Sequence, residues 1–383
     1  MSRRIFISFL LITAIIFTSF IGVSGAEQTG TQMTFDCRSA ILIEASTGKV
    51  LFEQNADEAL PPASVTKVMT LLLVMEAIEE NKISLNDTVV ASEHACSMGG
   101  SQIYLEEGEQ MSVEDLLKSV VIASANDAAV ALAEYVAGTE EAFVELMNKR
   151  AEELGMKNTH FENTNGLDDT VENHVTSARD IAIMSAKLLS YKKITEYSSI
   201  WMDSIRNGEF GLTNTNRLVR FYKGANGLKT GSTSKAKFCI SASAERDGMT
   251  LICVIMAAPT RDIRNAAATS LLDFGFANFK IYNAPEASIE PVRVLGGVKN
   301  SCNVKSGAFS AILGKKDAKN IEAKTELSES VKAPVKIGDK IGTVNYYLGG
   351  EIIGSADIVA AENVNNIGFW DLLVKFIASM SLF

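Results

Sequence analysis

The order in which hydrophobic periodicity changes along this 383-residue chain constrains its fold more than any other feature. Ser39 to Glu53 reads as two strands around the turn Ser46-Thr47-Gly48. Apolar residues at helical spacing, or unbroken apolar runs, then predict helices over Thr66 to Glu80, Val113 to Ile122, Ala128 to Val136, Glu140 to Leu154 and Ser177 to Leu189. Strand signals return at Gly227 to Thr230, Phe238 to Glu245 and Met249 to Ala257, before a last helix over Ile263 to Phe274. Strands, a helical block, strands and a helix describe one α+β domain whose sheet is assembled from both ends of the segment. Past Phe279 the character changes: residues 285–363 are rich in Val, Ile, Gly and Lys and lack a helical period. Pro334 to Ile358 alternates as strands, with a hairpin expected at Leu348-Gly349-Gly350-Glu351. A small all-β domain without a reactive cluster is expected there, a spacer rather than a second site.

Both termini carry information. Residues 1–26 combine Arg3 and Arg4, an apolar run from Ile5 to Val23 and the small residues Ser24 and Ala26, the pattern of a cleavable secretory signal. Its removal leaves 34 basic against 46 acidic side chains, a formal charge of −12, a poor surface for nucleic acid. From Ile367 to Phe383, Gly368, Asp371, Lys375 and Ser379 recur on one helical side, while Phe369, Trp370, Leu373, Phe376, Ile377 and Met380 fill much of the rest. An amphipathic helix over 366–383, lying on a membrane surface, fits this pattern, because a spanning helix would place Asp371 and Lys375 inside the bilayer. A helix docked on its own domain is the alternative. The five cysteines are odd in number with no C-x-x-C pair, and the three histidines are isolated with no H-E-x-x-H. Neither a disulfide framework nor a metal site is expected, and no cofactor is called for.

Three short pieces carry chemistry: Ser64-Val65-Thr66-Lys67, Ser124-Ala125-Asn126 and Lys229-Thr230-Gly231. Each alone is weak, since Ser190 with Lys193, Ser232 with Lys235, Ser84 with Asn86 and Ser301 with Asn303 repeat two of the patterns. Ser64 stands apart because it follows Pro61-Pro62-Ala63 and opens the apolar run Val68 to Ile78, a buried helix with a proline-marked start. Ser64 and Lys67 then share a helical face, where an amine deprotonated by burial or a second cation can take the serine proton. Lys229 is a candidate for that cation. The structural alternative is that Ser64 and Ser124-Ala125-Asn126 cap helices, Lys67 is a solvated stem and Lys229-Thr230-Gly231 ends a strand.

In that order and spacing, the three pieces resemble the S-x-x-K, S-x-N and K-T-G set of penicillin-binding proteins, specifically the low-molecular-mass D-alanyl-D-alanine carboxypeptidases of serine peptidase S11 type. Further family-like stretches are Ile43 to Lys49, Gly99-Gly100-Ser101-Gln102 with Leu105, Gly155 to Phe161, and Ser177-Ala178-Arg179-Asp180. The resemblance spans about residues 35–383. It implies a β-lactamase/transpeptidase-like three-layer catalytic domain over 35–282, followed by the small β domain over 285–363 and the terminal helix.

The resemblance also implies the roles. Ser64 attacks the penultimate D-alanine carbonyl with neutral Lys67 as base; Ser124 passes the proton to the leaving amine; Asn126 holds the substrate amide and orients Lys67. Lys229 supplies positive potential, Thr230 bonds the terminal carboxylate, and Gly231 lets an extended peptide lie along the strand. Backbone N–H groups of Ser64 and Ser232 are the oxyanion-hole candidates, and Arg264, with Arg261 as fallback, is the expected carboxylate arginine. Ser232 departs from many relatives, which have His or Thr there. The implied partners are peptidoglycan stem peptides and β-lactam inhibitors, at the outer face of a bacterial cytoplasmic membrane. Three rivals stay open. A class A β-lactamase needs a water-activating carboxylate, and no E-x-x-x-N occurs between residues 150 and 180. The others are a transpeptidase or endopeptidase with the same residues, and a non-catalytic wall-binding protein.

Overall fold

The computed structural model describes residues 33–169, 171–285 and 288–380; the segment read as a secretory signal lies outside them. Strands β1 (Ser39–Glu44) and β2 (Val50–Gln54) form the expected hairpin. The later strands β3 (Ala225–Thr233), β4 (Lys237–Arg246) and β5 (Met249–Ala258) join them in a five-stranded antiparallel sheet of order β2-β1-β5-β4-β3. The chain therefore closes its sheet by pairing Ser39–Glu44 with Leu251–Met256, across the whole helical block.

Alternation along β1 and β5 sends side chains to two faces. Ile41, Ile43, Ile252, Val254 and Met256 point into a core shared with helices α1 (Lys67–Glu79), α2 (Asn126–Ala137), α3 (Glu140–Glu153) and α4 (Ala178–Leu189). Leu42 and Leu251 face the other way, against helix α5 (Arg261–Asn278), where a Cβ on Gly275 would stand 2.5 Å from Leu251 Cδ1. Helix, sheet and helical block make three layers. The middle helix, α1, is apolar on nearly all sides and buried over most of its length, as its unbroken run requires.

One predicted helix breaks just before Ser124. Val113 to Ile122 reads as a single apolar helix, but the α-helical part stops at Lys118. Residues Ser119–Ala123 form a wider turn, and Ser124 then adopts φ +65°, in the left-handed region. That wider turn and the positive φ precede α2 and bring Ser124 and Asn126 to one place.

Beyond α5, strands β6 (Ile321–Leu327), β7 (Lys340–Leu348) and β8 (Glu351–Ala360) pair antiparallel in sequence-neighbour order, joined by Val304–Ser306 on the far side of β8. The β7–β8 turn is Gly349-Gly350, at φ +59° and +89°, as a two-residue hairpin demands. Val344, Tyr346, Ala356 and Ile358 form a buried cluster of this region. Helix α6 (Phe369–Met380) follows, with Phe369 and Trp370 each about three-quarters exposed. No helix among the described residues is long and apolar enough to cross a membrane.

Candidate active site

The nucleophile candidate sits at a junction of helix types. Residues Ala63–Thr66 form one 3₁₀ turn that runs into α1 at Lys67. The turn begins with Ala63 at φ +50°, a left-handed conformation unusual for alanine. The Thr66 hydroxyl donates to the Ala63 carbonyl at 2.9 Å and closes the turn.

Lys67 is fully buried, and its Nζ has three partners: Ser64 Oγ at 3.1 Å, Asn126 Oδ1 at 2.5 Å and the Asn165 carbonyl at 2.8 Å. A neutral amine has two N–H donors and one lone pair. The two carbonyl oxygens can only accept, so they take both donors and turn the lone pair toward the hydroxyl of Ser64. Burial holds the Lys67 ammonium well below its ordinary range; the Lys229 charge adds to this, and buried Asp127 opposes it. Asn126 is itself locked, its Nδ2 donating to the Gly99 carbonyl at 2.6 Å and its backbone N–H to the Ser101 carbonyl at 2.7 Å. The adjacent Gly100, at φ +78°, leaves room for that amide: a Cβ there would lie 2.9 Å from Asn126 Nδ2.

Lys229 is also buried, donating to Ser124 Oγ at 2.8 Å and to the Thr230 carbonyl at 2.9 Å. Burial, aided by the Arg264 guanidinium, pulls its pKa down to about 7. Arg264 is 3% exposed and donates to the Cys239 carbonyl at 3.3 Å and to Asn265 Oδ1. On top of burial, charge thus acts in sequence: the Arg264 guanidinium depresses Lys229, and Lys229 depresses Lys67. Thr230 Oγ1 donates to Thr215 Oγ1 at 2.8 Å. A Cβ on Gly231 would stand 2.8 Å from Ser64 N and 2.9 Å from the Pro62 carbonyl, so the strand passes the Ser64 backbone where only glycine fits. Ser232, the next residue, is exposed.

The structure therefore brings Ser64, Lys67, Ser124, Asn126, Lys229, Thr230 and Gly231 together, with Ser232 at the strand's outer end. Arg264 stands behind β4, held by a main-chain carbonyl of that strand; Arg261, one turn earlier, is exposed. Sequence reasoning missed the loop segment 162–169. It supplies the Asn165 carbonyl to Lys67, and its Asp168 accepts from Thr233 Oγ1 while the Asp168 carbonyl accepts from Lys235 Nζ at 2.5 Å. Gly166, at φ +84°, packs so closely that a Cβ would lie 1.9 Å from the Ala63 carbonyl oxygen. The turn signal Asn165-Gly166 is the one local cue to this loop. Among the described residues no group of three metal-ligating side chains converges.

Comparison with known proteins agrees with this geometry. Residues 26–260 match the family D-alanyl-D-alanine carboxypeptidase, and residues 276–366 match the C-terminal domain of penicillin-binding protein 5. The D-alanyl-D-alanine carboxypeptidase DacF of Bacillus subtilis is 40% identical over 97% of this chain and 98% of its own length. The solved structure of penicillin binding protein 5 from Haemophilus influenzae superposes with a TM-score of 0.75 at 34% identity, covering 88% of this chain and all of that one. Penicillin-binding protein D2 from Listeria monocytogenes, solved in an ampicillin-bound form, gives 0.59 at 31% identity over 64% of this chain and all of its own. With the fold, the two matched regions and the near-complete coverage of its relatives, the chain belongs to the peptidase S11 family of D-alanyl-D-alanine carboxypeptidases, serine-type hydrolases.

Proposed function

We propose that Ser64 is the acylated nucleophile of a D-Ala-D-Ala carboxypeptidase that trims peptidoglycan pentapeptide stems, and that Lys67 is its base. The observation that carries this is the buried Lys67 amine, 3.1 Å from Ser64 Oγ with two other partners that can only accept. Ser64 Oγ attacks the penultimate D-alanine carbonyl as its proton passes to Lys67. The oxyanion gathers N–H groups at Ser64 and Ser232, a contribution of ~3 kcal/mol per donor in comparable sites. The proton reaches the leaving amine through Ser124, whose hydroxyl accepts from Lys229 Nζ at 2.8 Å, and D-alanine departs. Water then hydrolyses the ester with Lys67 again as base. Asn126 orients Lys67; Thr230, with Lys229 and Arg264 behind it, receives the terminal carboxylate; Gly231 admits the extended peptide.

β-Lactams acylate the same serine in this proposal, in keeping with the ampicillin-bound relative. Residues 35–282 form the catalytic domain, 285–363 a spacer, and 366–383 a helix on the outer face of the cytoplasmic membrane, its exposed Phe369 and Trp370 suited to an interface. The test is D-alanine release from a peptide ending in D-Ala-D-Ala, with Ser64→Ala alongside. Release and covalent penicillin labelling are both lost in the variant; labelling that persists at another serine overturns the assignment.

A further inference from the structure

The loop that carries Asn165 grips the nucleophile's turn at a second point, through a histidine that the catalytic scheme does not use. His174 is buried, 5% exposed, with its ring edge-on to Phe161. The Glu162 backbone N–H donates to His174 Nδ1 at 2.9 Å, which makes Nδ1 the acceptor and leaves the ring proton on Nε2. His174 Nε2 lies 2.7 Å from Thr66 Oγ1, so that N–H donates to the hydroxyl, and the hydroxyl donates onward to the Ala63 carbonyl. Burial pulls the imidazole down to about 4, so the ring is neutral at physiological pH and the donor direction is fixed.

The relay ends at a strained peptide. Ala63 holds φ +50° immediately before Ser64, a conformation that costs ~1–3 kcal/mol and persists only where the surroundings impose it. Two things impose it: the packing of Gly166 against the Ala63 carbonyl, and the Thr66 hydroxyl that His174 orients. Without the His174 donor, the Thr66 hydroxyl is free to rotate away, and Ala63 can relax toward an ordinary φ. That movement swings Ser64 off Lys67 while Lys229 and Thr230, the proposed contacts of the terminal carboxylate, stay held by Ser124 and Thr215.

We propose that His174 is a positioning residue for Ser64, acting through the Thr66 hydroxyl on the Ala63 carbonyl. The inference rests on Ser64 being the nucleophile. The experiment is stopped-flow acylation of the purified protein by a fluorescent penicillin, separating the non-covalent Kd from the acylation rate constant, with the labelled residue mapped by peptide mass. His174→Asn keeps an acceptor for the Glu162 N–H and loses the Thr66 donor; Thr66→Val keeps the histidine and its loop contact and removes the relay. Each is expected to slow acylation about tenfold with Kd within threefold, and the double variant to be no slower than the singles, since both break one chain. His174→Gln, which places a donor where Nε2 stood, recovers most of the loss. Acylation within twofold of wild type in His174→Asn, a double variant that multiplies the two single losses, or a His174→Gln no faster than His174→Asn overturns the proposal. A wild-type protein labelled elsewhere than Ser64 overturns instead the nucleophile assignment beneath it.

Discussion

Replacing Lys229 by methionine tests the buried-cation arrangement through stability as well as activity. In the folded protein burial and Arg264 hold this lysine at about 7, against an ordinary 10.5. Between those two values the unfolded chain binds more protons than the native one, so this residue makes wild-type stability rise with pH across that window. At pH 7 the penalty corresponds to roughly 3 pH units, on the order of 4 kcal/mol; by pH 10 it has fallen to about 1 kcal/mol. Methionine fills similar volume and has no titration. It also leaves Ser124 Oγ and the Thr230 carbonyl without their donor, but that loss does not vary with pH. The stability of Lys229→Met relative to wild type should therefore drop by roughly 3 kcal/mol between pH 7 and pH 10, whatever its absolute value. Urea unfolding of both proteins at pH 7, 8.5 and 10 measures it, with penicillin acylation confirming that the variant is impaired. Stability curves that stay parallel across that range refute the idea that Lys229 is held near neutrality.

Two further outcomes follow from the same geometry. Gly166→Ala places a methyl against the Ala63 carbonyl at a positive φ and should cost about 3 kcal/mol or more, together with loss of Ser64 labelling; a melting temperature equal to wild type contradicts the packing. Deleting the residues after Asn365 should leave D-alanine release from soluble peptide intact while freeing the protein from membranes, and membrane pelleting that survives the deletion counts against the terminal helix.

The cluster of candidate side chains was legible because its pattern is local: a serine one turn before a lysine, at the proline-marked start of an apolar helix, which the structure brings within 3.1 Å of each other. The sheet was legible for a similar reason, since alternation and runs in Ile41–Ile43 and Leu251–Met256 follow from burial alone. The break at Ser119–Ala123 was not, because an apolar run looks the same whether its backbone keeps or loses the α-helical register. Nor was the Asn165 contact, in which a main-chain carbonyl 98 residues from Lys67 is used, so no side chain announces it. Arg264 was read as a carboxylate contact from its motif; its place behind β4, donating to the Cys239 carbonyl, depends on packing that no spacing encodes.

In the proposed reaction, the edge position of β3 sets how much of a guest chain is read. Its early carbonyls are occupied: Ser198 Oγ donates to Asn226 O, and Asn216 Nδ2 donates to Gly227 O at 2.8 Å. In the proposed reaction a visiting strand pairs past these carbonyls, along Gly231 and Ser232 beside Ser64. Under that proposal the two side-chain plugs act as a ruler, keeping the guest's paired residues next to Ser64. Exopeptidase cutting is then, in this chain, a matter of how little of β3 is left uncovered.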